Sequence, residues 1–468
     1  MILCGFCIKP PLISYVFSMF YIVKHFKISY NMEKSNLYGD SCMLKTKYQE
    51  ISDHLIEQIK SGQLKKGDKL PSIRLLSKSY HCSKDTVQKA LLDLSYQKYI
   101  YAVPKSGYYV LEQAPEENND LELPLRNDRH QVYEDFRICL NETLIGRENY
   151  LFNYYSQQEG LEDLRQSVKN LLLESAIYPT LDKIALTSGT QQALYILSQI
   201  DFPNHGNTIL VEQPTYHRIN DLLSAQNLKY KTIERSPKGI DLLELENIFR
   251  SGNIKFFYTI PRFHYPLGHT YSRQEKEEIL RLAKLYQVFL IEDDYLADFD
   301  NKSELSFHYL DDSDSVIYIK SFSTSLFPAL RITALLLPDS VKKQFIAFKS
   351  ILDYDSNLIM QKALSLYIDN QMFQKNRLAL LRLQEEEKEN AQHLLEKAGL
   401  GLPYLLTPGG ILLDLKTLTS ISSLKHSGLP LDFFESAYID PCPYRYAKIR
   451  YQDLEASIEG IKKYLKKA

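Results

Sequence analysis

Ile51, Leu55, Ile56 and Ile59 fall at the i, i+4, i+5, i+8 spacing of one helical face, and the pattern stops at Ser61-Gly62. Gly67-Asp68 predicts a turn, after which Pro71 and Ser72 open a second helix with Leu75 and Leu76 turned inward. A break at 80–82, then Ser83 as N-cap, starts a third helix whose apolar side carries Val87, Ala90, Leu91 and Leu94. The alternating runs 99–103 and 108–111, joined by Pro104-Lys105-Ser106-Gly107, predict a hairpin. Helix, helix–turn–helix and a two-stranded wing make a winged helix–turn–helix over 43–112.

From 136 onward the pattern changes. Short apolar runs at 184–186, 208–211, 256–260, 288–291 and 315–319 are separated by helical patterns such as 274–286. That alternation predicts an α/β, doubly wound core. Beyond Pro338 a long helical stretch runs to about 397, followed by a mixed strand–helix segment that predicts a smaller C-terminal domain.

Charge sharpens the division. The chain has 468 residues and a net charge of −2, yet residues 44–110 carry 12 Lys+Arg against 6 Asp+Glu, and residues 111–135 carry 8 acidic against 2 basic. A basic head is therefore followed by an acidic linker, expected over 113–135, and then by the domain 136–468. Six scattered cysteines exclude a disulfide scaffold, and no spacing predicts a metal site. The apolar run 11–23 is short of the ~20 residues of a membrane span and lacks signal-peptide flanks. Met32 and Met43 offer later starts, so 1–42 reads as a poorly ordered extension or a mis-assigned start. A cytoplasmic protein is expected.

The head's chemistry suits DNA. Ser83, Lys84, Asp85, Thr86, Gln88 and Lys89 lie at the start and outer face of the third helix, where donors and acceptors read base edges, while Arg74 and the wing's Lys105 reach phosphates. The segment KLPSIRLLSKSYHCSKDTVQKAL with its wing PKSGYYV resembles the GntR-type winged helix: Leu70-Pro71-Ser72, Arg74 and Ser83-Lys84-Asp85-Thr86-Val87 match, with Lys where that family has Arg at 84.

Three motifs mark the large domain. Thr187-Ser188-Gly189-Thr190 between a strand and a helix makes a phosphate cradle of backbone N–H groups. Glu292-Asp293-Asp294-Tyr295 ends an apolar strand, where α/β ligands bind and where carboxylates also cap helices. Ser321-Phe322-Ser323-Thr324, followed by Arg331, supplies hydroxyls and a guanidinium. In this order the three resemble the fold-type I pyridoxal-phosphate aminotransferases, and with a GntR-type head the chain resembles the MocR regulators. The resemblance implies a large α/β domain with a smaller C-terminal one. It implies phosphate contacts from Ser188, Gly189, Thr190, Ser323 and Arg331, with Tyr155 reaching the partner subunit's cofactor. It sets Tyr216 on the pyridine ring, Asp293 at the pyridine nitrogen, Tyr295 at the ring hydroxyl, and Arg450, with Arg445 second, at a substrate carboxylate.

The departures bear on activity. The resemblance puts the Schiff-base lysine at 324, where this chain has Thr324. A threonine hydroxyl forms no imine and is a poor base near neutral pH. Lys320, four residues earlier, is expected to point elsewhere. Tyr265 stands where the family carries Asn, and Thr333 where it favours Gly, crowding a turn beside the phosphate. The expected protein is a homodimeric regulator that binds double-stranded DNA and does not transaminate. Its large domain would sense a small molecule: pyridoxal phosphate bound non-covalently, a preformed aldimine, or an amine. The alternatives are a working aminotransferase with an accessory head, or a large domain that is a dimerisation scaffold with no cofactor.

Overall fold

The computed structural model describes residues 46–96, 99–103, 106–111, 129–145, 157–300, 304–418 and 421–465. Two compact units divide at Asn119/Asp120. The expected extension 1–42, the wing's Lys105 and the phosphate-reaching Tyr155 lie outside the described residues.

In the first unit, α1 (Lys47–Lys60), α2 (Ile73–Ser79) and α3 (Lys84–Tyr96) are followed by β1 (Ile100–Val103) and β2 (Gly107–Val110), paired antiparallel. A third short edge forms where Lys69 bridges Tyr109. Ser72 caps α2, its Oγ accepting from Leu75 N at 3.3 Å, and Ser83 caps α3, accepting from Thr86 N at 3.1 Å. Ile51, Leu55, Leu76, Val87, Ala90, Leu91 and Leu94 close one core with Ile100 and Val110 of the wing. Leu75 does not join it and is 54% exposed, correcting the inward assignment. A seven-residue helix has room for one inward apolar stripe, and Leu76 occupies it.

The second unit opens with a helix at Arg129–Leu144 that takes in the last residues of the expected linker. Val132, Phe136 and Cys139 are buried, so this amphipathic pattern starts inside the acidic run and not after it. Seven strands then form one sheet in the order β3-β9-β8-β7-β6-β4-β5. They are β3 (Ile184–Thr187), β4 (Thr208–Gln213), β5 (Tyr230–Glu234), β6 (Ile254–Thr259), β7 (Phe289–Asp293), β8 (Val316–Ser321) and β9 (Thr333–Leu336). Five of them, β8, β7, β6, β4 and β5, run parallel, and β9 is antiparallel to both its neighbours.

Strand alternation sorts the core into layers. Ile209, Phe256, Tyr258, Ile291, Ile317 and Ile319 face one layer. Leu210, Phe257 and Leu290 face the other, as does Tyr318. Lys320 has the parity of Tyr318, so it leaves the sheet on the side away from Ile319. The parallel strands' carboxyl ends form one edge, which positions the candidate site.

Helices at Asp339–Leu352, Leu358–Asp369 and Met372–Ala398 match the expected long helical stretch. The last packs with a smaller sheet, β10 (Tyr404–Thr407), β11 (Gly410–Asp414) and β12 (Tyr446–Ile449), and with the helix Leu454–Leu465. Among the described residues no helix is long and apolar enough to cross a membrane.

Candidate functional site

In the first unit, the start of α2, the start of α3 and the wing enclose a groove of about 800 Å³. Arg74, Lys84, Asp85 and Gln88 line it, and so does Lys69, which sequence reasoning passed over because it lies on a short bridge outside the helices. Its Nζ is 5.9 Å from the ring centre of Tyr109. Ser83 and Thr86 are occupied locally, their hydroxyls 2.8 Å apart at the cap. Lys89 stands apart, its Nζ 4.3 Å from the ring centre of Tyr48 on α1. The groove gathers three cations around a helix N-terminus, a setting for phosphate and base edges.

In the second unit the three carboxylates after Ile291 separate by parity. Glu292 accepts from the backbone N–H of Phe307 and His308, both at 2.9 Å, so it caps a short helix. Asp294 pairs with Arg262 at 3.0 Å and accepts from the Tyr318 hydroxyl at 3.0 Å. Asp293 alone of the three faces the layer of Tyr258, whose hydroxyl donates to its Oδ2 at 2.7 Å. Its Oδ1 is buried and meets no donor among the described residues. Burial pushes the Asp293 carboxyl up to about 7 against the Tyr258 hydrogen bond, and Asp294 adds to the rise.

Aromatic side chains gather on the same face. Tyr216, Tyr265 and Tyr295 pack against this layer. Burial, and then Asp293, pushes the Tyr216 hydroxyl up to about 12. Tyr295 donates to the Phe263 carbonyl at 3.4 Å.

Ser188 and Gly189 lead from β3 into the helix Thr190–Gln199. Gly189 has φ +92°, and a Cβ there would lie 2.5 Å from the Arg331 guanidinium, so the glycine admits Arg331 over the helix N-terminus. Arg331, itself left-handed at φ 51°, donates to Gln191 Oε1 at 3.2 Å. The expected crowding at Thr333 is absent: its fully buried side chain meets Thr190 Oγ1 at 3.4 Å. Ser188 is engaged internally, its N–H donating to Gln192 Oε1 at 2.8 Å and its hydroxyl to Asp353 Oδ2 at 3.1 Å.

Ser323 and Thr324 are half-buried in the turn after β8. Lys320 lies across the sheet from Asp293, its Nζ 2.8 Å from both oxygens of Asp298. A buried pair of this kind costs about 3–5 kcal/mol to break one-sidedly, so the amine is committed. Arg450 is exposed and pairs with Asp453 at 2.7 Å, and Arg445 pairs with Glu234.

Residues 47–110 match the gntR family of bacterial regulatory proteins, and residues 139–420 match aminotransferase class I and II. The Bacillus subtilis HTH-type transcriptional regulator YcxD is 32% identical over 446 residues, spanning 90% of this chain and 100% of that one. The chain belongs to this family of gntR-headed, aminotransferase-like regulators. The Escherichia coli HTH-type transcriptional regulator YdcR is 28% identical over 384 residues, 75% of this chain and 81% of that one. Among solved structures, the Pyrococcus horikoshii kynurenine aminotransferase superposes with a TM-score of 0.64 at 22% identity, over 81% of this chain and 92% of that one. LysN, the α-aminoadipate aminotransferase of Thermus thermophilus, gives 0.62 at 20% identity, over 74% and 91%. These likenesses show the fold.

This regulator's pocket fits a phosphorylated pyridine in two respects. The orphaned Asp293 oxygen suits a ring N–H, and the glycine cradle under Arg331 suits a phosphate. Thr324, in the turn after β8, carries a hydroxyl and no amine.

Two outcomes are expected. Asp293 holds its proton up to about pH 7 in the fold but to only ~4 when unfolded. The protonated carboxyl's contribution to stability is therefore fully present below ~4 and is lost as pH rises through the native value. Thermal unfolding should find Asp293→Asn more stable by on the order of 2 kcal/mol at pH 8 and unchanged near pH 4; an equal gain at both contradicts the assignment. Replacing Asp353 by Ala frees the Ser188 hydroxyl proton and removes a like charge, so titration should show pyridoxal phosphate binding about tenfold tighter. Unchanged affinity would mean that Ser188 does not meet the ligand.

Proposed function

We propose that the protein is a homodimeric, DNA-binding transcription regulator of the cytoplasm. In this reading its aminotransferase-like unit binds a phosphorylated pyridine non-covalently, senses it or its combination with an amine, and does not transaminate. The observation that carries the reading is the orphaned oxygen of Asp293 on the same sheet face as Tyr216 and Tyr295, with a hydroxyl at 324 and Lys320 held by Asp298 on the far face.

Asp293, ionised, would hold the pyridine N–H, and Tyr216 would cover the ring. The first N–H groups of the helix after Gly189, with Arg331 and Ser323, would hold the phosphate. When bound, the cofactor supplies an electrophilic aldehyde. Thr324 offers that aldehyde no amine and offers the substrate no base for proton transfer.

Dimerisation is supported by exposed apolar side chains beside the cradle: Ile351 and Tyr354, 80% and 57% exposed, flank Asp353. A symmetric pair presents two heads to two half-sites. Ligand binding acts on DNA to the extent that it favours one arrangement of the heads. A second reading, a scaffold without cofactor, draws support from the internal bonds of Ser188, which satisfy the cradle without a ligand.

On duplex DNA, log affinity should fall linearly with log salt, and Lys84→Ala should lower the slope by about 1. A flat salt response contradicts phosphate-anchored binding. On a duplex selected from a random pool, added pyridoxal phosphate should shift the affinity of the wild type and leave Asp293→Ala unmoved. Amino-group exchange by the wild type with pyridoxal phosphate and amino acids would overturn the reading.

A further inference from the structure

The groove of the head holds one acid among its cations. At the start of α3, Ser83 and Thr86 spend their hydroxyls on each other, and Lys89 turns to the Tyr48 ring. That leaves Lys84, Asp85 and Gln88, which fall at i, i+1 and i+4, stand exposed and line the groove. Arg74 and Lys69 line it from outside α3. Among the described residues Asp85 meets no hydrogen-bond donor and no ion-pair partner, although three cations share its groove.

An unpaired carboxylate works against the use of this groove. Phosphates repel it, so it weakens binding to duplex DNA in general. It is tolerated only where the duplex turns a donor toward it. In the major groove the donors are exocyclic amines, N4 of cytosine and N6 of adenine, while guanine and thymine present acceptors. Adenine also sets the N7 acceptor beside its amine, against the second carboxylate oxygen. Cytosine shows N4 alone, so it is the base that an acid fits. Gln88, one turn on, carries both a donor and an acceptor and so can match adenine, which Asp85 cannot.

We propose that Asp85 sets the sequence preference of the head: it accepts from the N4 amine of a cytosine in the major groove and repels any base that turns an acceptor to it. Arg74 and Lys84 supply attraction without regard to sequence, and Asp85 converts part of it into discrimination by penalising the wrong partner. The proposal deepens the DNA-binding reading of the head and does not depend on the pyridine.

The test is selection from a random duplex pool with the full-length wild type, Asp85→Asn and Gln88→Ala, followed by fluorescence anisotropy on the selected duplex with each base pair in turn at the assigned position. The wild-type pool should fix a cytosine, and the wild type should prefer that duplex by about tenfold over the other three. An amide of the same shape donates as well as accepts, so Asp85→Asn should fix adenine at that position and leave the others unchanged. Its binding to its own selected duplex shows that it is folded. Asp85→Ala should bind the four duplexes within about threefold of one another, and bind the three mismatched ones more tightly than the wild type does. Gln88→Ala should keep the cytosine. A wild-type pool with no fixed cytosine, an Asp85→Asn pool identical to the wild type's, or loss of the cytosine in Gln88→Ala overturns the assignment. So does an equal loss of affinity of Asp85→Ala for all four duplexes, the mark of a first-turn acid that serves the helix alone. Failure of the wild type to enrich any duplex overturns the DNA-binding reading itself.

Discussion

Where charge is tolerated along the carboxyl edge of the seven-stranded sheet decides what the large unit can do. Asp293 is buried there with one oxygen bonded to Tyr258 and the other without a donor among the described residues. Such a group is costly unless a cation meets it or a proton neutralises it. The fold answers with a raised proton affinity, and a pyridine N–H would answer it better. The neighbouring carboxylates have been absorbed by structure: Glu292 caps a helix, and Asp294 holds Arg262. Among the described residues one oxygen of these three adjacent acids lacks a donor, and the proposed ligand site rests on it.

In the proposed reading, a threonine at 324 and a pocket that still binds its ligand fit together physically. The amine of Lys320 cannot substitute, because alternation along β8 sends it through the sheet to Asp298. Turning it back would strand the buried Asp298 carboxylate. A threonine at the attachment position would remove covalent capture, yet the contacts expected for ring and phosphate would not depend on it. The regulator would thereby exchange a permanently attached cofactor for one whose occupancy follows concentration, which is what sensing requires.

Much of this was legible in the chain. The parallel strands announced themselves as short apolar runs, and the head's three helices as 3.6-residue periodicity. Ser83 caps the helix it was expected to cap, and Ser72 caps the one it was expected to open. The edge strand at Tyr230–Glu234 escaped because most of its positions are solvent-facing and polar. The start of the helix at Arg129 was hidden by acidic residues read as linker, and Leu75 by a helix too short for periodicity to choose between neighbours. At the site, motif order located Asp293, Ser188 and Arg331. The roles of Tyr258 and Asp353 had no local signal: the bond from Ser188 to Asp353 joins positions 165 residues apart. Arg450, expected at a substrate carboxylate, pairs with its near neighbour Asp453.

The central claim is that the pocket binds a phosphorylated pyridine without a covalent anchor. It is tested most directly by titrating pyridoxal phosphate into the wild type and Thr324→Lys, followed by absorbance, then reducing each with borohydride and mapping any label. The account predicts saturable binding to both, no label within the wild-type pocket, and labelling of Thr324→Lys at position 324. Failure of both proteins to bind, or borohydride fixation at Lys320 of the wild type, would contradict it.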